Sequence, residues 1–106
     1  MGARSEIRIV DQPFPVVFDA FVKALPGAGF DVTGIDPDRG WISLSTRNHR
    51  LTLAVGAIDA ITTEWVATAE RQVALGRDKH DRHFGAIDEA VTAYLAAYYP
   101  SARDPR

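Results

Sequence analysis

An α+β domain is predicted, in the order β-α-β-β-β-β-α: an antiparallel five-stranded sheet with two helices packed on one face. Three patterns predict it. Two segments carry apolar residues at helical spacing, five carry them at every second position, and each of the seven has one apolar face. Elements with a single apolar face are satisfied by two layers, and four consecutive short strands joined by turns pair most simply as a meander.

The first strand is read at Glu6–Val10, where Ile7 and Ile9 share one face and Glu6, Arg8 and Val10 the other. Pro13 and Pro15 then open a helix, since proline is tolerated only in the first turn. Phe14, Val17, Phe18, Phe21 and Leu25 form its apolar stripe, and Pro26-Gly27 with Gly29 stops it. This helix is placed at residues 14–25.

A hairpin follows. Phe30 and Val32 are assigned to one face, Asp31, Thr33 and Ile35 to the other, and Asp36-Pro37-Asp38-Arg39-Gly40 makes the turn. The return strand, 41–46, buries Ile42 and Leu44 and turns Trp41, Ser43 and Ser45 outward. After a tight turn at Asn48-His49, a third strand alternates Leu51, Leu53 and Val55 with Thr52, Ala54 and Gly56. A turn near Asp59-Ala60-Ile61 leads to the last strand, 62–72, with Trp65, Ala67 and Ala69 inward. The two alanines would let a helix approach closely. Asp78 and Asp81 suit the N-terminus of the final helix. Its stripe is Phe84, Ile87, Val91, Tyr94, Leu95 and Tyr98, and Pro100 ends it. One domain is expected over 5–99, with a flexible tail at 100–106.

This element order, Ile7 to Tyr98, resembles the helix-grip, or TATA-binding-protein-like, fold in its single-copy form. Larger relatives of that kind include the Bet v 1-like lipid and steroid binders. The resemblance lies in the order of elements and in no residue motif, so it implies a fold and transfers no site.

Composition narrows the chemistry. The apolar fraction is 46% and the charged fraction 25%, the balance of an ordinary globular chain. There is no cysteine, which excludes disulfides, thiolate metal sites and cysteine nucleophiles. A formal charge of −2, with Asp31, Glu64 and Glu70 expected on the sheet's outer face, argues against nucleic acid. No segment reaches the ~18 apolar residues of a membrane span, and Met1–Val10 lacks a signal-peptide core, so no membrane association and a cytoplasmic location are expected.

No catalytic constellation is legible. Serines 5, 43, 45 and 101 sit in no strand-to-helix elbow, and Asp36/Asp38 and Asp88/Glu89 read as turn and surface residues. His80 and His83 are three apart on a helix and could share a metal, but the chain supplies no further ligand at motif spacing. They are read as polar residues at the solvent end of the stripe, and no metal or cofactor is expected. Arg47-Asn48-His49-Arg50 is a basic tip able to hold an anion but read as a solvated turn.

Two functions are carried forward. The first is a non-catalytic interaction module that self-associates as a homodimer or docks a protein partner. It would use the open sheet face through Trp41, Ile35, Val66 and Val10, because a large exposed apolar patch marks an interaction surface. The alternative is a small apolar-ligand carrier, its pocket between the last helix and the sheet lined by Trp65, Phe84, Ile87 and Tyr94. That idea needs a cavity of about 300 Å³ or more.

Overall fold

The computed structural model describes residues 4–46, 49–69 and 77–99, with the side chains of all but 4 and 77–81. Arg47 and Asn48 of the basic tip, Glu70 to Gln72 at the expected end of the last strand, Pro100 and the tail to 106 lie outside the described residues. So do the side chains of Asp78, His80 and Asp81.

The elements follow the predicted order. Strand β1 is Arg4–Val10, helix α1 Phe14–Ala24, strand β2 Asp31–Asp36, β3 Trp41–Ser45, β4 Arg50–Asp59, β5 Thr62–Ala69, and helix α2 Arg77–Tyr98. All strand pairs are antiparallel, in the spatial order β1-β5-β4-β3-β2. The return through α1 places β1 on the far side of β5, so the meander and the first strand close one sheet.

Pro13 starts α1 without a side-chain cap; its carbonyl accepts from the N–H groups of Val16 and Val17, both at 3.1 Å. A short 3-10 turn, Pro26–Ala28, ends at Gly29 with φ 95°, and the Phe30 N–H returns to the Leu25 carbonyl at 3.2 Å. In the β2–β3 turn, Gly40 adopts φ 73°. Its backbone also enters the sheet, because the Val55 N–H donates to the Gly40 carbonyl at 2.7 Å.

Both helices cover the same side of the sheet. Val17, Phe18, Ala20 and Phe21 of α1, followed by Leu25, meet Phe84, Ile87, Val91 and Leu95 of α2 above Ile42, Leu44, Leu51, Leu53, Val55, Trp65, Ala67 and Ala69. Phe21 packs edge-on against Trp65, with ring centroids 5.3 Å apart. α2 rests chiefly on α1, and α1 on β4 and β5.

Three facings differ from those expected. Ile7 and Ile9 are 59% and 65% exposed on the side away from the helices, whereas Val10 packs against the core. The register explains it: Ile7 lies opposite Val66, Arg8 opposite Trp65, and Val10 opposite the buried Thr63. The apolar pair Ile7/Ile9 and the mixed set Glu6/Arg8/Val10 were both compatible with period two. Pairing with β5 selected between them. Second, an irregularity between Val32 and Gly34 shifts the register, so Ile35 lies opposite Ile42 on the helix side, half-exposed at the sheet edge. Third, Tyr98 is 67% exposed, its ring tilted beside Tyr94 with centroids 4.6 Å apart, while Tyr99 packs against the core in its place.

Gly40→Ala tests the β2–β3 turn. A Cβ there would stand 2.1 Å from the Val55 carbonyl oxygen. Left-handed strain together with that displacement should cost about 3 kcal/mol or more, read as a lowered denaturation midpoint.

Candidate functional site

A groove of about 430 Å³ lies on the helix side between the end of β1 and the outer flank of α2. Its position follows from the packing. α2 leans onto α1, so the helix side of β1, the edge strand, is not fully roofed. The α2 wall consists of Asp88, Thr92, Leu95 and Ala96, with Tyr99 just beyond the helix. Asp88, Thr92 and Ala96, spaced four apart, lie one step around the helix from the core stripe, to which Leu95 itself belongs. The β1 side is bordered by Arg8 and Val10, with Ile9 between them turned to the other face, and the chain continues through Asp11 and Gln12.

Polar contacts bracket an apolar middle. At one end Arg8 forms an ion pair with Glu6 and approaches Asp88 across the groove at 4.0 Å. At the other, the Gln12 side-chain amide donates to the Tyr99 carbonyl at 3.1 Å, and the buried Thr63 hydroxyl donates to the Gln12 carbonyl at 2.7 Å. Between them lie Val10, Leu95 and Ala96. This arrangement offers an apolar surface with a cation, two carboxylates and an amide around it, which suits binding an amphipathic molecule. Arg8 and Asp88 are engaged with each other and supply no poised acid–base pair.

The sequence-derived pocket residues lie elsewhere. Trp65, Phe84 and Ile87 are packed into the core, and Tyr94 is half-buried beside it. The indole N–H of Trp65 is buried with no acceptor among the described residues. Trp65 is the β5 neighbour of Arg8, so this donor sits one strand in from the groove. Tyr94 belongs instead to a polar seam between the helices. There Lys23 pairs with Asp19 at 3.3 Å and the Tyr99 hydroxyl donates to Asp19 at 3.4 Å. Desolvation, then the charge of Asp19, holds the Tyr94 phenol above its ordinary range, and the hydrogen bond to Asp19 raises Lys23.

Of the four residues assigned to the outer face, Trp41 and Val66 are there and Val10 and Ile35 are not. Ile7 and Ile9 take their place. Successive registers align Ile7, Val66, Ala54 and Trp41 in one row across β1, β5, β4 and β3. Trp41, 49% exposed, carries the Arg39 guanidinium over its ring at 5.5 Å. The next row is hydroxyl-bearing, Ser5, Thr68, Thr52 and Ser43, and Ser5 and Thr68 share a hydrogen bond of 3.2 Å.

The histidines are also rearranged. His49 and His83, 34 positions apart, meet at the entrance to β4, with Nδ1 of His49 and Nε2 of His83 2.6 Å apart. No helical spacing could signal a contact that the tertiary fold makes. Among the described residues no three His, Cys, Asp or Glu side chains form a metal-sized group. No helix is long and apolar enough to cross a membrane, among the same residues.

No family model and no curated protein matches the chain. Solved structures do. An uncharacterized protein from Bacillus thuringiensis aligns with TM-score 0.59 at 10% identity, over 91% of this chain and 98% of that one. The Zhui aromatase/cyclase from Streptomyces sp. R1128 aligns with TM-score 0.52 at 17% identity, over 90% and 87%. These likenesses define the class: a small α+β domain of helix-grip-like fold, a sheet flanked by helices.

The facing of β1 has a direct test. Ile7→Lys should leave stability within about 0.5 kcal/mol, as for an exposed site. Val10→Lys should cost about 1–3 kcal/mol, because it places a charge against the core. Urea denaturation of both variants at low protein concentration reads the contrast.

Proposed function

We propose that this protein is a binder of a small amphipathic molecule, held in the groove between β1 and α2. The observation that carries the reading is the groove itself. Its volume is in the range of small-ligand sites, and its apolar middle lies between the Arg8–Asp88 and Gln12–Tyr99 contacts. The site is displaced from the residues that the sequence suggested, from the filled core to the open flank of the same helix. The aromatase/cyclase among the fold neighbours supports a small-molecule ligand for a chain of this shape. Binding without catalysis fits a groove whose cation, Arg8, is already paired with Glu6 and faces Asp88.

The probe is 2-naphthoate, an apolar double ring with one carboxylate, titrated into the isotope-labelled protein. Saturable amide shifts at Val10, Gln12, Leu95 and Ala96 are expected. Ala96→Trp, a change at an exposed helix position, should fill the groove and weaken binding at least tenfold while the fold is retained. Absence of saturation, shifts confined to the outer sheet face, or undiminished binding by Ala96→Trp would each refute the assignment.

A second reading, self-association through the outer face, is favoured by the Ile7–Val66–Ala54–Trp41 row. A two-fold axis parallel to the strands, between β4 and β5, would lay Trp41 of one copy on Ile7 of another. The row would then match itself, as an isologous contact requires. Five strands about 4.8 Å apart and some 25 Å long present roughly 600 Å², the order of one side of a standard interface. Sedimentation equilibrium should give a dimer that Ile7→Glu returns to monomer. A monomer at every concentration reached would end this reading.

A further inference from the structure

His49 and His83 form a cross-element pair that neither proposed surface uses. His49 precedes β4 and is 8% exposed; its carbonyl accepts from the Thr46 N–H at 2.9 Å, closing the β3–β4 turn. His83 lies in the early part of α2, half-buried, with its ring edge-on to buried Phe30 at 6.0 Å. The two imidazoles meet at an interplanar angle of 66°, with ring centroids 4.7 Å apart. Their facing nitrogens are 2.6 Å apart.

That distance constrains what can lie between the rings. Two nitrogen lone pairs pointed at each other repel, so at 2.6 Å one ring presents an N–H to the lone pair of the other, and a metal ion replaces that hydrogen only when the rings open apart. In a neutral pair one ring carries the shared proton. If that proton moves to the far nitrogen of the same ring, both facing nitrogens become donors of lone pairs, the form in which imidazole binds metals. With metal–nitrogen bonds of about 2.1 Å, a right angle at the metal sets the nitrogens about 3.0 Å apart and a tetrahedral angle about 3.4 Å. From 2.6 Å, the right-angled geometry needs the smaller opening.

We propose that His49 and His83 supply two nitrogen ligands to a transition-metal ion of tetragonal or octahedral preference, Ni²⁺ or Cu²⁺. Nitrogen ligands and right angles are the combination those ions favour, and the order of divalent affinities places both above the earlier first-row metals. The partly exposed side of His83 gives the ion its approach. Binding would fasten the β3–β4 turn to α2, so the metal should stabilise the fold as well as occupy it.

The probe is Ni²⁺ alone, added to the full chain and followed by calorimetry, with the thermal midpoint as a second readout. One ion per chain is expected, together with a raised midpoint. His83→Gln and His49→Gln should each weaken binding at least tenfold and abolish the rise in midpoint. If His49→Gln does not fold, His83→Gln, at a half-buried helix position, decides alone. Ni²⁺ affinity unchanged in His83→Gln, or no binding by the parent chain, would show the pair to be a structural hydrogen bond only and overturn the proposal.

Discussion

Strand β5 is paired along both edges, and its alternation sets the facing of its neighbours. Trp65, Ala67 and Ala69 point toward the helices, with the indole edge-on to Phe21. Because directly opposed residues share a face, Arg8 must follow Trp65 inward and Ile7 must follow Val66 outward. A shift of one residue in the β1–β5 register would reverse every side chain of β1. The alternation also sets the depth of packing: two alanines and fully buried Ala20 let α1 settle onto the sheet, while Trp65 fills the space beside them.

Both candidate surfaces follow from that register. With α2 drawn against α1, the helix side of β1 is only partly covered. Glu6 and Arg8 can therefore face inward and remain hydrated, while Val10 and Leu95 leave an apolar strip between α2 and the strand. A charge pair in that position would be costly under a complete roof; beside an open groove it keeps solvent and costs little. On the opposite side, the same parity moves Ile7 and Ile9 into line with Val66 and Trp41. One choice of register thus produces a groove on one side and an apolar row on the other.

The legible part of the fold consists of elements whose apolar pattern has one solution. Phe14, Val17, Phe18, Phe21 and Leu25 fit one helix face, and Ile42, Leu44, Leu51, Leu53 and Val55 fit one sheet face; the structure places them so. The first strand has two solutions, because Ile7/Ile9 and Glu6/Arg8/Val10 each supply an apolar face of a sort. Ile35 departs from simple alternation for a different reason. Alternation counts residues evenly, and the irregularity after Val32 breaks the count. For the groove, the spacing of Asp88, Thr92 and Ala96 was present on the helix, but nothing in the chain says which flank of a helix a strand will leave uncovered. The available signal was the charge on Arg8, an inward residue that needs water, and it becomes readable only once its facing is known.

By itself, the sequence determined the number, type and order of the main elements and most of the core. Those depend on short-range periodicity, proline and glycine stereochemistry and the burial of apolar side chains, all of which act over a few neighbouring residues. Tertiary structure alone decided the facing of β1, the lean of α2 onto α1, and the meeting of His49 with His83. These are relations between segments far apart along the chain, set by which strand pairs with which and how two helices share one face of a sheet, and no local pattern encodes them.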